Sequence, residues 1–299
     1  MASSVITQSA RSSFRWLLAS SSRYYSPLLT VSLILPLLVL LAAGFVFPML
    51  RLIDISMPGD APFSTYLRVF ENPLYVEVLL RTFRTAAIVT IACFLIGYPT
   101  AYMIAHMRGW SAKLGMACMF VPLWTSILVR SYVWIVLLGR NGIINNSLME
   151  LGLISTPLKM LYTEGAVVLA MTHVLMPFMI LPIHSALRSV PGTYEQAARN
   201  LGAGPIATFW RVTFPLSLPG VFAGCVICFI LAIGFYITPA LVGGPSALMM
   251  ATLIGQQTIV LLDWPFAAAL SVVLLTATLL LVLIFRRALS FSKGLNSVY

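Results

Sequence analysis

Few side chains in this sequence are placed to do covalent chemistry. The histidines, His106, His173 and His184, have no acid beside them. His173 and His184 would share one helix, but eleven residues of helix hold them about 16 Å apart. Cys225-x-x-Cys228 has metal-pair spacing without further ligands nearby. Cys93 and Cys118 are scattered in equally apolar contexts. Such cysteines read as small packing residues, and they imply no disulfide framework. The lysines, Lys113, Lys159 and Lys293, all lie outside any G-x-x-x-x-G-K-[ST] phosphate loop. No Ser/His/Asp, paired-carboxylate or zinc-ligand set is present. The chain is therefore expected to bind no metal or cofactor and to hydrolyse no ATP itself. A membrane enzyme or assembly factor would need a reactive cluster of that kind.

The elements that would position any site are apolar. Sixty per cent of residues are hydrophobic and 9% are charged, and mean hydropathy is +0.98. A soluble domain carries about a quarter charged residues, so this is a polytopic membrane protein. Six runs have the length of about 20 residues that a bilayer requires. They cover roughly 28–50, 82–107, 114–138, 165–187, 221–242 and 264–285. A short amphipathic helix is expected from Ile143 to Leu151, after a turn at Arg140-Asn141-Gly142. Residues 1–26 are rich in Ser and Arg and contain no acid, a composition that fits an organellar transit peptide. They are expected to be a cytoplasmic tail, since the first span follows directly and Phe14 to Leu18 could lie on membrane lipid.

The net charge of +10 needs no nucleic acid to explain it. With both termini cytoplasmic, Arg11, Arg15, Arg23, Arg108, Lys113, Arg188, Arg199, Arg211, Arg286, Arg287 and Lys293 fall inside, against Glu195 alone. Basic residues are retained on the cytoplasmic side during insertion, so the assignment is self-consistent. The implied organisation is a tail (1–27), a first span with an external segment (28–80), a five-helix core (81–290) and a C-terminal tail (291–299).

The longest polar interruption of the second half runs from Ser189 to Gly220. Thr193 and Gln196 have capping-box spacing for a short helix. Gly202 and Gly204 supply a bend, and Pro205 suits the first turn of a second helix. Pro215 and Pro219 are expected to close the unit. Gln196-Ala197-Ala198, then Gly202, then Val212, Phe214 and Pro215 resemble the EAA loop of ABC-importer permeases. That pattern is E-A-A, three residues, Gly, nine residues, Ile-x-Leu-Pro. Gln replaces the first Glu, with Glu195 next door. The resemblance implies an all-α type I importer permease fold of six transmembrane helices. The loop (189–219, with Thr193 and Glu195 included) would dock on a cytoplasmic ATPase.

The runs from Pro122 to Leu148, from Phe235 to Gln257 and from Trp264 to Leu275 resemble the spermidine/putrescine branch of that family. The implied machine has a second, different permease, two ATPase copies holding ATP and Mg, and an external solute-binding protein, in a bacterial inner membrane. The solute would be a polyamine or a related small polar molecule. Where that branch often has Gly-Glu-Phe, this chain has Gly234, Phe235 and Tyr236, and its spans contain no carboxylate. Arg130 is a charge at membrane depth, with Tyr132 and Trp134 beyond it. Arg130 and Trp134 share one helix face. They could line the solute path, but the expectation is that Arg130 pairs with a loop carboxylate. Asp263 before Trp264 is expected to cap the last span. An ion-gradient-driven secondary transporter is the alternative, and would show intramembrane acids or repeated broken helices.

Overall fold

The computed structural model describes residues 27–59 and 62–296, with side chains over 31–59 and 62–284. The expected N-terminal tail lies outside the described residues. The described residues divide into two compact units, with the boundary between Leu52 and Ile53. All regular structure among the described residues is helical. Six of these helices are long and apolar enough to cross a membrane: Val31–Ser56, Pro73–His106, Ile127–Glu150, Glu164–Ser189, Pro205–Ile233 and Trp264–Ile284.

In order, α1 (Pro27–Leu41) passes through a π turn, Ala42–Val46, into α2 (Phe47–Ser56). Then come α3 (Ser64–Glu71), α4 (Pro73–His106), α5 (Gly109–Trp124), α6 (Ile127–Leu138), α7 (Ile143–Glu150) and α8 (Glu164–Ser189). The short α9 (Gly192–Asn200) and α10 (Pro205–Thr208) lead through a second π turn, Phe209–Thr213, into α11 (Phe214–Ile233). The chain ends with α12 (Ile237–Val242), α13 (Met250–Ile259) and α14 (Trp264–Asn296).

The π turns have a local cause. A proline ring clashes with the carbonyl four residues back and offers no N–H to it. Pro48 and Pro215 each follow such a turn by two residues, and the intervening Phe47 and Phe214 donate five residues back, to Ala42 and Phe209. Widening the ladder lets the helix absorb the proline. The expectation that Pro215 and Pro219 close the loop unit ahead of the next span is therefore corrected. Helix continues from Pro205 to Ile233, and the fifth span begins 16 residues before Val221, at Pro205.

The main core lies where α4, α8 and α11 pack together, and small residues bring their backbones close. A Cβ on Gly220 would lie 2.5 Å from the Pro182 carbonyl oxygen and would also meet Ala186. One on Gly224 would meet Met179 Sδ at 2.8 Å and its carbonyl at 3.0 Å. This Gly-x-x-x-Gly face is how membrane helices gain van der Waals contact without a hydrophobic driving force between them. Buried Cys93 and Cys228 fit the same core, their thiols donating to the Thr172 and Leu175 carbonyls at 3.6 and 3.5 Å. A second core gathers Val69, Tyr75, Val78, Met250, Leu253, Phe266 and Leu270.

Candidate functional site

The polar loop is built by backbone chemistry more than by side-chain caps. Pro191 occupies the N-cap of α9 without a side-chain hydrogen bond. The first turn closes from Tyr194 N–H to the Pro191 carbonyl, 3.1 Å. Thr193 thus lies inside the helix, and the capping box expected of Thr193 and Gln196 is not formed. The reason is that Pro191, fixed at φ −62°, already turns the chain into helix.

The far end of α9 does follow the sequence. Gly202 has φ +83°, a conformation costly for residues with a Cβ. Ala203 N–H reaches the Ala198 carbonyl at 3.0 Å and Gly202 N–H reaches Arg199 at 2.9 Å. Together these form a Schellman termination. Gly204 is extended, at φ −67° and ψ 168°, and serves as N-cap of α10 with Pro205 in the first turn.

Of the nine residues of α9, only Glu195 and Ala198 are partly shielded. Tyr194, Gln196 and Ala197 are exposed, and Leu201 just beyond is 89% exposed. Ile206 and Trp210 continue the exposed apolar set. Val212 is half-buried, as is Phe214, which packs on Tyr98 with ring centroids 5.4 Å apart. Pro215 is exposed. The loop thus presents a mixed outer face, Tyr194, Leu201, Ile206 and Trp210 among Gln196, Arg199 and Arg211, and fastens its inner face to the bundle.

The expected third span, Leu114 to Leu138, is broken at Thr125 and Ser126, both with extended backbone. A break leaves the last carbonyls of a helix unpaired. Arg130 Nη2 donates to the Thr125 carbonyl at 3.1 Å, while its Nε and Nη1 are shielded and unpartnered. The expected ion pair of Arg130 with a loop carboxylate is corrected by this geometry. The interrupted helix supplies its acceptor, and the ion pairs found among the described residues do not include it.

One turn on, Trp134 Nε1 donates to His173 Nδ1 of α8 at 3.3 Å. Ser131 between them hydrogen-bonds Thr238 of α12 at 2.9 Å. That bond ties α6, which follows the first break, to α12, which follows a second one at Gly234–Tyr236. Tyr236 rests against Gly255, whose Cβ would meet the ring at 2.5 Å. Phe235 packs on the main core and Tyr132 is exposed. Irregular backbone at membrane depth is tolerated where protein buries it or where it lines a cavity.

Asp263 has other partners. It caps α14 through Phe266 N–H at 3.2 Å and pairs with Arg68 at 2.9 Å. Arg68 in turn lies 4.1 Å over the Phe266 ring. An open pocket of about 300 Å³ is lined by Glu77, Leu80, Arg81, Arg84, Glu164 and Ser246. Its charges are mutually paired, Arg81 with Glu77 and Arg84 with Glu164. Sequence reasoning missed the paired breaks, the role of His173 and the Gly220/Gly224 face. Only the last had a sequence signal, its four-residue spacing.

Residues 94–291 match the family described as binding-protein-dependent transport system inner membrane component. A Haemophilus influenzae spermidine/putrescine transport system permease protein, PotB, is 37% identical over 75% of this chain and 78% of its own. The Escherichia coli PotB is 36% identical over 82% of this chain and 92% of its own. Among solved structures, a bacterial ABC transporter that imports alginate matches with TM-score 0.72 at 17% identity, covering 87% of this chain and 94% of that one. The methionine ABC transporter MetNI matches with TM-score 0.53 at 19% identity, covering 71% and 91%. These two likenesses concern the fold.

Proposed function

The chain belongs to the family of binding-protein-dependent transport system inner membrane components, and from that premise we propose that it forms half of the solute path of an ATP-driven polyamine importer. A second, different permease supplies the other half. Two copies of a cytoplasmic ATPase bind ATP and Mg, and a solute-binding protein delivers the substrate from outside. This chain has no nucleotide site of its own, consistent with the lack of a phosphate loop in its sequence.

The observation that carries the coupling reading is α9. This short helix is closed by a glycine turn, lies between two candidate membrane spans and presents Tyr194, Ala197 and Leu201 outward. The loop carries Arg199 and Arg211 against Glu195, as a cytoplasmic position requires. Spermidine and putrescine come from the names of the relatives above. The carboxylates of the candidate spans lie near their ends, at Asp54, Glu77, Glu150 and Glu164, which makes this subunit a weakly selective conduit, with selectivity in the binding protein and the partner permease. The two helix breaks, followed by the helices that Ser131 and Thr238 tie together, are the expected lining, since discontinuous helices build solute sites in membranes.

The test is uptake of radiolabelled spermidine and putrescine into proteoliposomes holding the whole importer, with ATP and binding protein supplied. ATP-dependent uptake is expected. Uptake driven by an ion gradient without ATP would contradict the reading. ATP hydrolysis stimulated by another solute, with no polyamine uptake, would refute the substrate alone.

A further inference from the structure

Glu195 sits beside the position where the EAA pattern has its acid, which invites its assignment to the ATPase-facing surface. The geometry points the other way: we propose that Glu195 is a positioning residue that works inward, a strut fixing α9 to the ends of α4 and α11. The inference rests on the coupling reading above and assigns this side chain a role within it.

Three observations carry it. Glu195 is one of the two partly shielded residues of α9, whereas Leu201 just beyond the helix is 89% exposed. Its Oε1 accepts a 2.9 Å hydrogen bond from Thr213 Oγ1. Thr213 is 3% exposed and belongs to the π turn inside the fifth span. The same oxygen lies 3.9 Å from Nε2 of His106, the last residue of α4.

His106 is itself held in place. Its Nδ1 is 2.8 Å from the Tyr102 carbonyl, and its ring lies 4.2 Å from that of Tyr102. A carbonyl only accepts, so Nδ1 carries the proton there, and Nε2 donates toward Glu195 only as imidazolium. The Thr213 bond is therefore the primary tie. One helical turn further on, Tyr98 OH and Ser217 Oγ meet at 2.9 Å and join the same two helices.

The mechanical consequence follows from connectivity. Without Glu195, α9 is held by packing around the half-buried Ala198, by the extended Val190–Pro191 link and by the Gly202 bend. The link and the bend could each flex while the spans stay still. With the strut, a displacement of α9 is delivered directly to the π turn within the fifth span and to the end of α4. A half-buried charge accepting a hydrogen bond is also stronger than a neutral pair would be.

The experiment uses the complete importer in proteoliposomes, with four readouts: ATPase co-purification, basal hydrolysis, binding-protein-stimulated hydrolysis and uptake. Glu195→Ala and Thr213→Val should each retain the ATPase and basal hydrolysis. Uptake per ATP should fall roughly tenfold, the scale of one hydrogen bond to a charged group. Because both remove the same bond, the double variant should be no worse than either single one. Glu195→Gln and Thr213→Ser keep an acceptor and a donor, and should recover most of the uptake. Loss of ATPase co-purification in Glu195→Ala would instead place this residue on the docking surface. Unchanged coupling in both single variants, or additive losses in the double one, would also overturn the strut. Failure of the unmodified complex to retain an ATPase would refute the coupling reading itself, a separate outcome.

Discussion

Gly220 tests the packing that places the loop over the spans. In Gly220→Ala the new methyl would lie 2.5 Å from the Pro182 carbonyl oxygen. Carbon–oxygen contacts normally lie at about 3.3 Å or more, so the helices must part by about 1 Å. A radial gap of that size forfeits about a quarter to a half of the dispersion attraction across the affected surface. The obstructing atoms are backbone and a neighbouring Cβ, so no side-chain rotation relieves them. Overpacking of this kind costs about 1–3 kcal/mol, and Gly220→Ala should fall near the upper end. Gly224→Ala meets the flexible end of Met179 as well as its carbonyl at 3.0 Å, and should cost about 1 kcal/mol. Gly165→Ala, whose nearest neighbour would be Thr163 Oγ1 at 3.9 Å, should be neutral or gain up to about 1 kcal/mol of helix propensity. Thermal denaturation of the detergent-solubilised protein should therefore rank Gly220→Ala lowest, Gly224→Ala next and Gly165→Ala at or above the unmodified chain. A Gly220→Ala protein that melts with Gly165→Ala would refute the close approach of α8 and α11.

Gly202 has open space around its absent Cβ and φ +83°, so substitution strains only the backbone. Gly202→Ala should cost about 1–2 kcal/mol and Gly202→Val more, with uptake falling in that order; equal activity in both would refute the strained bend. Asp263→Asn keeps the cap on α14 and loses only an exposed ion pair, so its melting should match the unmodified protein. Asp263→Ala removes the cap and should cost about 1 kcal/mol; melting equal to that of Asp263→Asn would refute the cap. Arg130→Gln withdraws the charged donor from the Thr125 carbonyl and should lower stability by about 1.5–3 kcal/mol. Arg130→Lys should recover part of it, lacking the planar fork, and identical melting for all three proteins would contradict the role given to Arg130.

What was legible in the sequence was what local chemistry decides. Gly202 reads as a bend because few other residues accept its backbone angle, and Asp263 reads as a cap because the last apolar run starts after it. Thr193 was misread because Pro191, two residues earlier, turns the chain first. Pro215 reads as a stop, yet a π turn absorbs it, and nothing in the sequence distinguishes the two outcomes. The break at Thr125–Ser126 depends on a donor five residues further on, so it is a tertiary decision. The inward aim of Glu195 likewise depends on Thr213, eighteen residues away. The motif that carries the family resemblance was legible. The way it is fastened was not.

The account centres on α9 as the face that meets the ATPase. It is tested most directly by photo-crosslinking with benzoylphenylalanine at Leu201, 89% exposed, and at Leu151 beyond α7, 72% exposed. In cells expressing the whole importer, Leu201 should crosslink to the ATPase and Leu151 should not. A crosslink from Leu151 to the ATPase, or none from Leu201 in a complex that still transports, would contradict both the docking face and its cytoplasmic side.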